Sequence, residues 1–365
     1  MRVLARLGLA AAGYCLFLQS GSIAYSDENV VGQPSDTHGV APAVTTDSDF
    51  NRELSVEQLS PKVRSILGLP DKSIGAEAFG SGSHPFTTER VSVENGIEPV
   101  NSYPWRATGK LSMTFGPQRF VCSASVIGRS LLVTAAHCVH NFGKGKEGFA
   151  SSVSFEPARH DDARPFGTWT AKAWFIPKTY FDGSDVCSNG APGVVCENDI
   201  AVVVLNQNGD KAIADVVGMY NLPPEPNEDE VPPHEFGFTF FLGQKSAHFT
   251  QLGYPSMDYD GTKMIRTDSL GYQDDPNNVI IGSNQTGGSS GCPWLQNFGT
   301  PTSYTGTPPF DSQLNTVTAV TSWGFTTSHI KVQGASRFAK NHAYTKKTNI
   351  RSLVDEACGA DPGAC

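Results

Sequence analysis

The chain has 365 residues, of which 39% are hydrophobic and only 17% are charged, together with 37 glycines and 24 prolines. This composition predicts a packed core with many turns and argues against a coiled coil or wholesale disorder. The formal net charge is −9 and no stretch is dense in lysine and arginine, so we expect no nucleic-acid partner.

The first 24 residues have the pattern of a secretory signal peptide. Arg2 and Arg6 precede an apolar run from Leu7 to Leu18, and the small residues Ser22 and Ala24 follow. The run is shorter than the roughly 20 apolar residues that span a membrane. We therefore expect cleavage near Ala24 and export to the medium or the periplasm, with no stable membrane anchor after cleavage.

Residues 25–90 are polar, lack sustained strand alternation and end in a Gly/Ser-rich stretch ahead of Arg90. Such a segment is typical of a propeptide or flexible leader. The flexible stretch and Arg90 would form an exposed cleavage point. We therefore expect the mature chain to begin close to Val91.

The body of the chain consists of short β-prone runs separated by Gly, Pro, Asn and Asp, such as Phe120–Ile127 and Ala201–Leu205. This pattern is typical of an all-β sandwich or a pair of barrels. A short helix is expected near the C-terminus. The acidic, proline-rich stretch Pro223–Pro233 predicts a connector between an N-terminal unit, residues 91–222, and a C-terminal unit, residues 234–355.

Seven cysteines remain after the signal peptide. In an exported chain they are expected to form disulfides rather than to bind metal, and none has a Cys-x-x-Cys spacing. Local spacing predicts the pairs Cys122–Cys138 and Cys187–Cys196. Three others leave one thiol over and their pairing open: Cys292, Cys358 and Cys365.

Three segments carry side chains that together suit nucleophilic catalysis. Thr134–Cys138 presents His137 at the end of a strand, where an imidazole can act as a general base. Asp199 precedes a strongly apolar strand, and a partly buried carboxylate there can orient an imidazole. Ser290 lies in the glycine-rich stretch Gly287–Cys292, whose backbone amides can approach a substrate carbonyl closely.

Three segments resemble, in chain order, the three active-site signatures of trypsin-like (chymotrypsin-fold) serine proteases: Thr134–Cys138, Asp199–Val202 and Gly288–Pro293. Tyr103–Arg106 resembles the beginning of that family's first barrel, and Thr321–Gly324 its substrate-binding strand. With Gly253–Tyr254–Pro255, these motifs resemble the secreted glutamyl endopeptidase-like branch. The resemblance covers about residues 95–345.

The resemblance implies an all-β fold of two antiparallel six-stranded β-barrels, with the active site in the cleft between them. It implies a serine endopeptidase that acts on protein or peptide substrates, through an acyl-enzyme, without a metal or organic cofactor. Ser290 would attack the scissile carbonyl, His137 would take its proton and return it, and Asp199 would hold the imidazole tautomer. The backbone amides of Gly288 and Ser290 would form the oxyanion hole. The residues that would bind the substrate are Asn284, Gln285, Thr286, Thr321, Ser322 and Gly324.

Two features depart from the family pattern. Ser289 precedes the nucleophile where most animal-type members carry an aspartate, which pairs with a new N-terminal ammonium after zymogen cleavage; that switch is not expected here. The specificity pocket has no acid at Asn284 and no histidine at Thr321. We therefore expect no strict requirement for Arg or Lys and at most a moderate preference for Glu, because neutral groups discriminate more weakly than charged ones.

Two other functions are compatible with parts of the sequence. Gly287–Gly291 also fits the Gly-x-Ser-x-Gly motif of α/β-hydrolase esterases, centred on Ser289. The order His, Asp, Ser contradicts that fold, in which the acid and the histidine follow the serine. The second alternative is a protease fold that has lost catalysis and serves as a binding module. Such a loss usually removes a triad residue, and none is missing here.

Overall fold

The computed structural model describes residues 28–35, 48–49, 53–54, 84–91, 99–188, 190–225, 239–241, 244–274, 276–299, 314–325 and 330–365. The predicted signal peptide lies outside these ranges, as does most of the predicted leader. Among the described residues, no helix is long and apolar enough to cross a membrane.

The described strands are, in chain order, β1 Val30–Pro34, β2 Ser48–Asp49, β3 Glu53–Leu54, β4 Phe86–Arg90, β5 Thr108–Phe115, β6 Gln118–Val126, β7 Leu131–Thr134, β8 Ser152–Pro157, β9 Trp169–Pro177, β10 Ala201–Leu205, β11 Thr239–Phe241, β12 Gln244–Gly253, β13 Ile265–Asp274, β14 Asn278–Gly282, β15 Pro293–Gln296, β16 Thr316–Phe325 and β17 Val332–Arg337. The α-helices are α1 Lys178–Asp182, α2 Ile213–Val217 and α3 Asn349–Ala360.

The N-terminal half forms a closed antiparallel barrel. Its strands pair in the order β9-β10-β7-β6-β5-β8, and β8 pairs back with β9. The β5–β6 hairpin turns at Gly116, whose φ of +55° favours glycine. All five residues of β10 are buried, and its three β-branched valines suit a strand packed on both faces. Trp169, Trp174 and Phe155 are among the large side chains that fill the interior.

The C-terminal half forms a second closed barrel. Its strands pair in the order β12-β15-β16-β17-β14-β13, and β13 pairs back with β12. Phe249, Ile281 and Trp294 lie in its core. The predicted pair of six-stranded antiparallel barrels is thereby confirmed.

The predicted C-terminal helix is also confirmed. Helix α3 buries Ile350, Leu353 and Ala357, which lie on one face at helical spacing. That face packs against β9 and β10 of the first barrel and against β1. A disulfide between Cys358 and Cys365 ties the end of the helix to the last residue of the chain.

Four parts of the predicted leader, β1 to β4, are paired strands rather than flexible chain, and the two-residue strands β2 and β3 pair parallel with β6 and β16. β1 pairs antiparallel with β9 of the first barrel, and β4 pairs antiparallel with β13 of the second. Beyond β4, the Val91 N–H donates to the Met264 carbonyl at 2.9 Å, and Val91 is buried. The bond between Arg90 and Val91 therefore lies in paired backbone, which differs from the exposed cleavage point that the sequence suggested.

Candidate active site

His137 lies in a single helical turn, Ala136–Cys138, directly after β7. A disulfide between Cys122 and Cys138 holds this turn against β6. The pairing of β10 with β7 sets Ala201 opposite Thr134, which brings Asp199 alongside His137. The strand register therefore creates the His–Asp contact, and the disulfide fixes one side of it.

The contact between His137 and Asp199 is short and buried. His137 Nδ1 lies 2.7 Å from Asp199 Oδ2, and the His137 backbone N–H donates to Asp199 Oδ1 at 2.9 Å. The two side chains are 1% and 0% exposed. With Nδ1–H held by the carboxylate, Nε2 is left as the basic nitrogen of the neutral ring.

Ser322 supplies a further contact to the same carboxylate. The register of β16 against β17 shifts between Thr321 and Trp323, so Ser322 lies in a β-bulge, a feature that re-aims a side chain. Its hydroxyl contacts both Asp199 Oδ2 and the Val194 carbonyl oxygen. The pairing with substrate backbone that the sequence suggests for Ser322 concerns its main chain and stays a prediction.

Asn198 anchors the segment that carries Asp199. Its backbone N–H and its side-chain amide donate to the Asp185 carboxylate at 2.8 and 2.7 Å. Its Oδ1 accepts from the amides of Asn341 and Asn349, the second of which begins helix α3. Burial raises the pKa of Asp185 to about 6, even though these donors favour its ionised form. The Cys187–Cys196 disulfide closes the loop between Asp185 and Asn198.

The loop that carries Ser290 packs against the strands that carry His137. The Ser290 carbonyl accepts from the Ser123 N–H at 2.7 Å. A Cβ on Gly291, whose φ is +75°, would lie 2.0 Å from Thr134 Oγ1 and 2.8 Å from the Ala135 nitrogen. Only glycine permits this close approach. Ser290 is thus held beside the end of β7, where His137 follows.

The backbone amides predicted for the oxyanion hole are available. In the turn around the nucleophile, the Ser289 N–H donates to Thr286 and the Cys292 N–H donates to Ser289. Within the described part of the chain, the N–H groups of Gly288 and Ser290 have no acceptor. Gly288 has a φ of +90°, and a Cβ there would lie 2.5 Å from the Tyr254 carbonyl oxygen. Two unused donors beside Ser290 have the arrangement that a developing oxyanion requires.

The predicted specificity residues divide into two groups. Thr321 and Gln285 are buried and turned inward: Thr321 Oγ1 accepts from Trp294 Nε1 at 2.7 Å, and Gln285 Nε2 donates to Thr267 Oγ1 at 3.2 Å. The Thr321 hydroxyl and Gln285 Nε2 are engaged inside the barrel, whereas Gln285 Oε1 has no hydrogen-bond partner among the described residues. Asn284 and Thr286 are half-buried, and their contact with a substrate stays a prediction.

A family model described as "Trypsin" matches residues 94–345, which is more than half of the chain. The chain therefore belongs to the trypsin family, whose members are serine-type endopeptidases with the chymotrypsin-like fold.

Two curated relatives match more locally. The chain is 30% identical over 106 residues to a Bacillus subtilis protein named "Extracellular metalloprotease", covering 27% of this chain and 33% of that protein. It is 29% identical over 103 residues to the glutamyl endopeptidase of Bacillus licheniformis, covering 28% of this chain and 29% of that protein. The chain thus matches a third or less of the length of these relatives.

Two solved structures share the fold. The protease Anisep from Arthrobacter nicotinovorans is 24% identical with a TM-score of 0.51, covering 70% of this chain and 96% of that one. The thermostable serine protease AL20 from an extremophilic microorganism is 21% identical with a TM-score of 0.52, covering 70% of this chain and 98% of that one. At these identities the likeness establishes the fold alone.

Proposed function

We propose that this chain is a secreted serine endopeptidase that cleaves peptide bonds through Ser290, His137 and Asp199. The observation that carries the proposal is the buried 2.7 Å contact between His137 Nδ1 and Asp199 Oδ2, beside a serine loop with two unused amide donors. A buried histidine–carboxylate pair next to such a loop matches the requirements of serine acyl transfer. Membership of the trypsin family supports the same reaction class.

In the proposed reaction, Ser290 Oγ attacks the scissile carbonyl carbon while His137 Nε2 takes the hydroxyl proton. Asp199 keeps the ring in the tautomer with hydrogen on Nδ1 and stabilises the imidazolium that forms. The amides of Gly288 and Ser290 receive the oxyanion of the tetrahedral intermediate. The imidazolium then gives its proton to the leaving amine, and water hydrolyses the acyl-enzyme through the same groups.

The name of the Bacillus subtilis relative raises metal-dependent hydrolysis as a second candidate. Two groups of described residues bring metal-binding side chains together: Cys122, His137 and Cys138, and Asp185, Cys187 and Cys196. All four cysteines are in disulfides, so none offers the thiolate that binds a metal. The donor set therefore favours the serine as the reacting group.

The experiment that tests the function is cleavage of a proteome-derived peptide library by the purified protein, with the cleavage sites found by mass spectrometry. We expect cleavage that a chelator leaves unchanged, after several uncharged residues and with at most a moderate preference for Glu, because neither Asn284 nor Thr321 carries a charge. The matched control is Ser290→Ala, which should give no cleavage above background. Inhibition by the chelator would contradict the serine mechanism. More than about nine in ten cleavages after Glu alone, or after Arg and Lys alone, would contradict this view of the pocket.

Secretion and processing belong to the same proposal. Residues 1–24 have the charge and apolar pattern of a signal peptide, and three disulfides among the described residues fit an oxidising compartment. We infer that residues 25–90 are a propeptide, with β4 separating from β13 before cleavage near Val91. N-terminal sequencing of the exported protein tests this, and a mature chain that begins upstream of Gly80 would contradict it.

A further inference from the structure

Gln333 in β17 is buried beside the substrate-binding strand. It pairs with Gly324 of β16, and the position of a Cβ on Gly324 lies 3.4 Å from Gln333 Cγ. The methylene groups of Gln333 therefore run along the face of Gly324. Its side chain continues inward, and the residue is only 4% exposed. A lone glutamine in a strand belongs to no motif, and the sequence analysis did not select it.

The amide group of Gln333 is fully hydrogen-bonded. Its Nε2 donates to the Gln285 carbonyl oxygen at 2.9 Å and to Ser289 Oγ at 3.1 Å. Its Oε1 accepts from Gln251 Nε2 at 2.5 Å and from Ser283 Oγ at 3.3 Å. Both hydrogens of the amide are thus used, and Gln251 is the main donor to its oxygen, because the single hydroxyl hydrogen of Ser283 lies closer to Gln251 Oε1, at 2.8 Å. The Gln333 side chain therefore connects Gln285, in the segment predicted to line the pocket, with Ser289, which precedes the proposed nucleophile.

The hydroxyl of Ser289 transmits this contact to the oxyanion hole. It accepts from Gln333 while donating to the Thr286 carbonyl oxygen at 2.7 Å. The Ser289 N–H donates to the same carbonyl at 3.1 Å. Ser289 lies between the two residues whose amides face the oxyanion, Gly288 and Ser290. A rotation of this turn would therefore displace both amides together.

We propose that Gln333 is a positioning residue. Through neutral hydrogen bonds it holds the turn Gly288–Ser290, the oxyanion loop, in the geometry needed for catalysis. Gln333 acts through two groups, the Gln285 carbonyl and the Ser289 hydroxyl. Ser289 occupies the position where animal-type members carry an aspartate paired with an N-terminal ammonium. No new amino terminus is needed to form this contact, because both of its partners are internal. This inference rests on the proposed function, since it concerns the loop that would stabilise the oxyanion.

The competing role for Gln333 is specificity. Its stem lies beside Gly324, so it could act by limiting the size of the substrate side chain. The two roles predict different kinetics. An oxyanion hole acts in the transition state, so disturbing it lowers kcat and leaves KM almost unchanged. A change of pocket size alters KM and the preferred residue before the scissile bond.

The test is Gln333→Leu, which keeps a similar volume and removes all four hydrogen bonds, assayed with a peptide selected from the library. The matched control is Asn278→Leu in the same barrel, because Asn278 is also fully buried and its side-chain hydrogen bonds go to Cys196, Pro276 and Trp323 rather than to the loop that carries Ser290. We expect both variants to melt at lower temperature. We expect kcat to fall about 10- to 100-fold in Gln333→Leu, with KM within about threefold, and to stay within about threefold in Asn278→Leu.

Equal losses of kcat in the two variants would overturn the proposal, because the effect would then follow from stability alone. A changed KM and residue preference with kcat retained would overturn it in favour of the specificity role. If Gln333→Leu does not fold, Gln333→Glu provides the test, since its carboxylate cannot donate to the Gln285 carbonyl and kcat should again fall. Activity of the unaltered protein separates the two hypotheses: if it hydrolyses peptides, the proposed function stands whatever the Gln333 variants do.

Discussion

The buried carboxylate of Asp199 receives hydrogen bonds from the His137 backbone N–H and contacts both His137 Nδ1 and the Ser322 hydroxyl. An ionised carboxylate removed from water is costly unless such donors surround it. These contacts therefore hold the charge in place and orient the imidazole.

This arrangement predicts large effects from single substitutions. Ser290→Ala and His137→Ala should each lower kcat/KM for peptide hydrolysis by a factor on the order of 10⁴ or more, because triad residues act as a unit. The fold should persist, which circular dichroism checks. Ser289→Ala is the matched control and should be far milder, because this side chain only supports the loop. Loss of activity in Ser289→Ala with activity kept in Ser290→Ala would show that the nucleophile is misassigned.

The sequence predicts His137, Asp199 and Ser290 as catalytic residues because each lies in a short motif with few structural alternatives. It did not reveal that Ser322 contacts Asp199, since that contact depends on a bulge created by the pairing of β16 with β17. It also did not reveal the inward orientation of Thr321 and of its neighbours in the buried amide network. Such orientations depend on which partners lie across the barrel, and a single sequence does not specify them.

At the scale of elements, β4 shows why part of the leader was not recognised as strand. Four of its five residues are exposed, so it lacks the alternation of buried and polar positions that marks a strand in sequence. Its position follows from backbone pairing with β13 and from His84, which precedes it. His84 is 1% exposed and packs edge-on against Tyr272 with the ring centroids 5.3 Å apart.

His84 makes the attachment of β4 sensitive to acid. Neither ring nitrogen has a hydrogen-bond partner among the described residues, and burial lowers the pKa of His84 from 6.5 to about 4. The neutral ring is favoured in the folded state, so its contribution to stability is complete above about pH 6.5 and is lost as the pH falls toward 4. We expect hydrogen-exchange protection factors in β4 to decrease over this range.

The control for this prediction is His84→Leu, which removes the titrating group and keeps an apolar side chain in the same place. In this variant the protection of β4 should vary little between pH 6.5 and pH 4. An equal decrease in the variant and the unaltered protein would show that other groups control the attachment of this strand.

At the scale of the whole molecule, the two-barrel fold was predicted from the resemblance of three ordered motifs and from the density of short strands. The motifs and the strand pattern are both local in sequence. Both are recognisable in a chain that is only 24% identical to a protein of the same fold. The outer strands β1 and β4 were not predicted, because each depends on pairing with a strand more than a hundred residues away. Long-range pairing of polar edge strands leaves little trace in local pattern.

The central claim is that the two barrels bring Ser290 and His137 together as a working nucleophile and base. The most direct measurement is reaction of the purified protein with a fluorophosphonate probe, followed by peptide mapping of the modified residue. Only an activated serine reacts readily with such a probe. We predict a single adduct on Ser290, absent from His137→Ala. No adduct on the folded protein, as expected of an inactive binding module, or an adduct on Ser289 instead, would contradict the account.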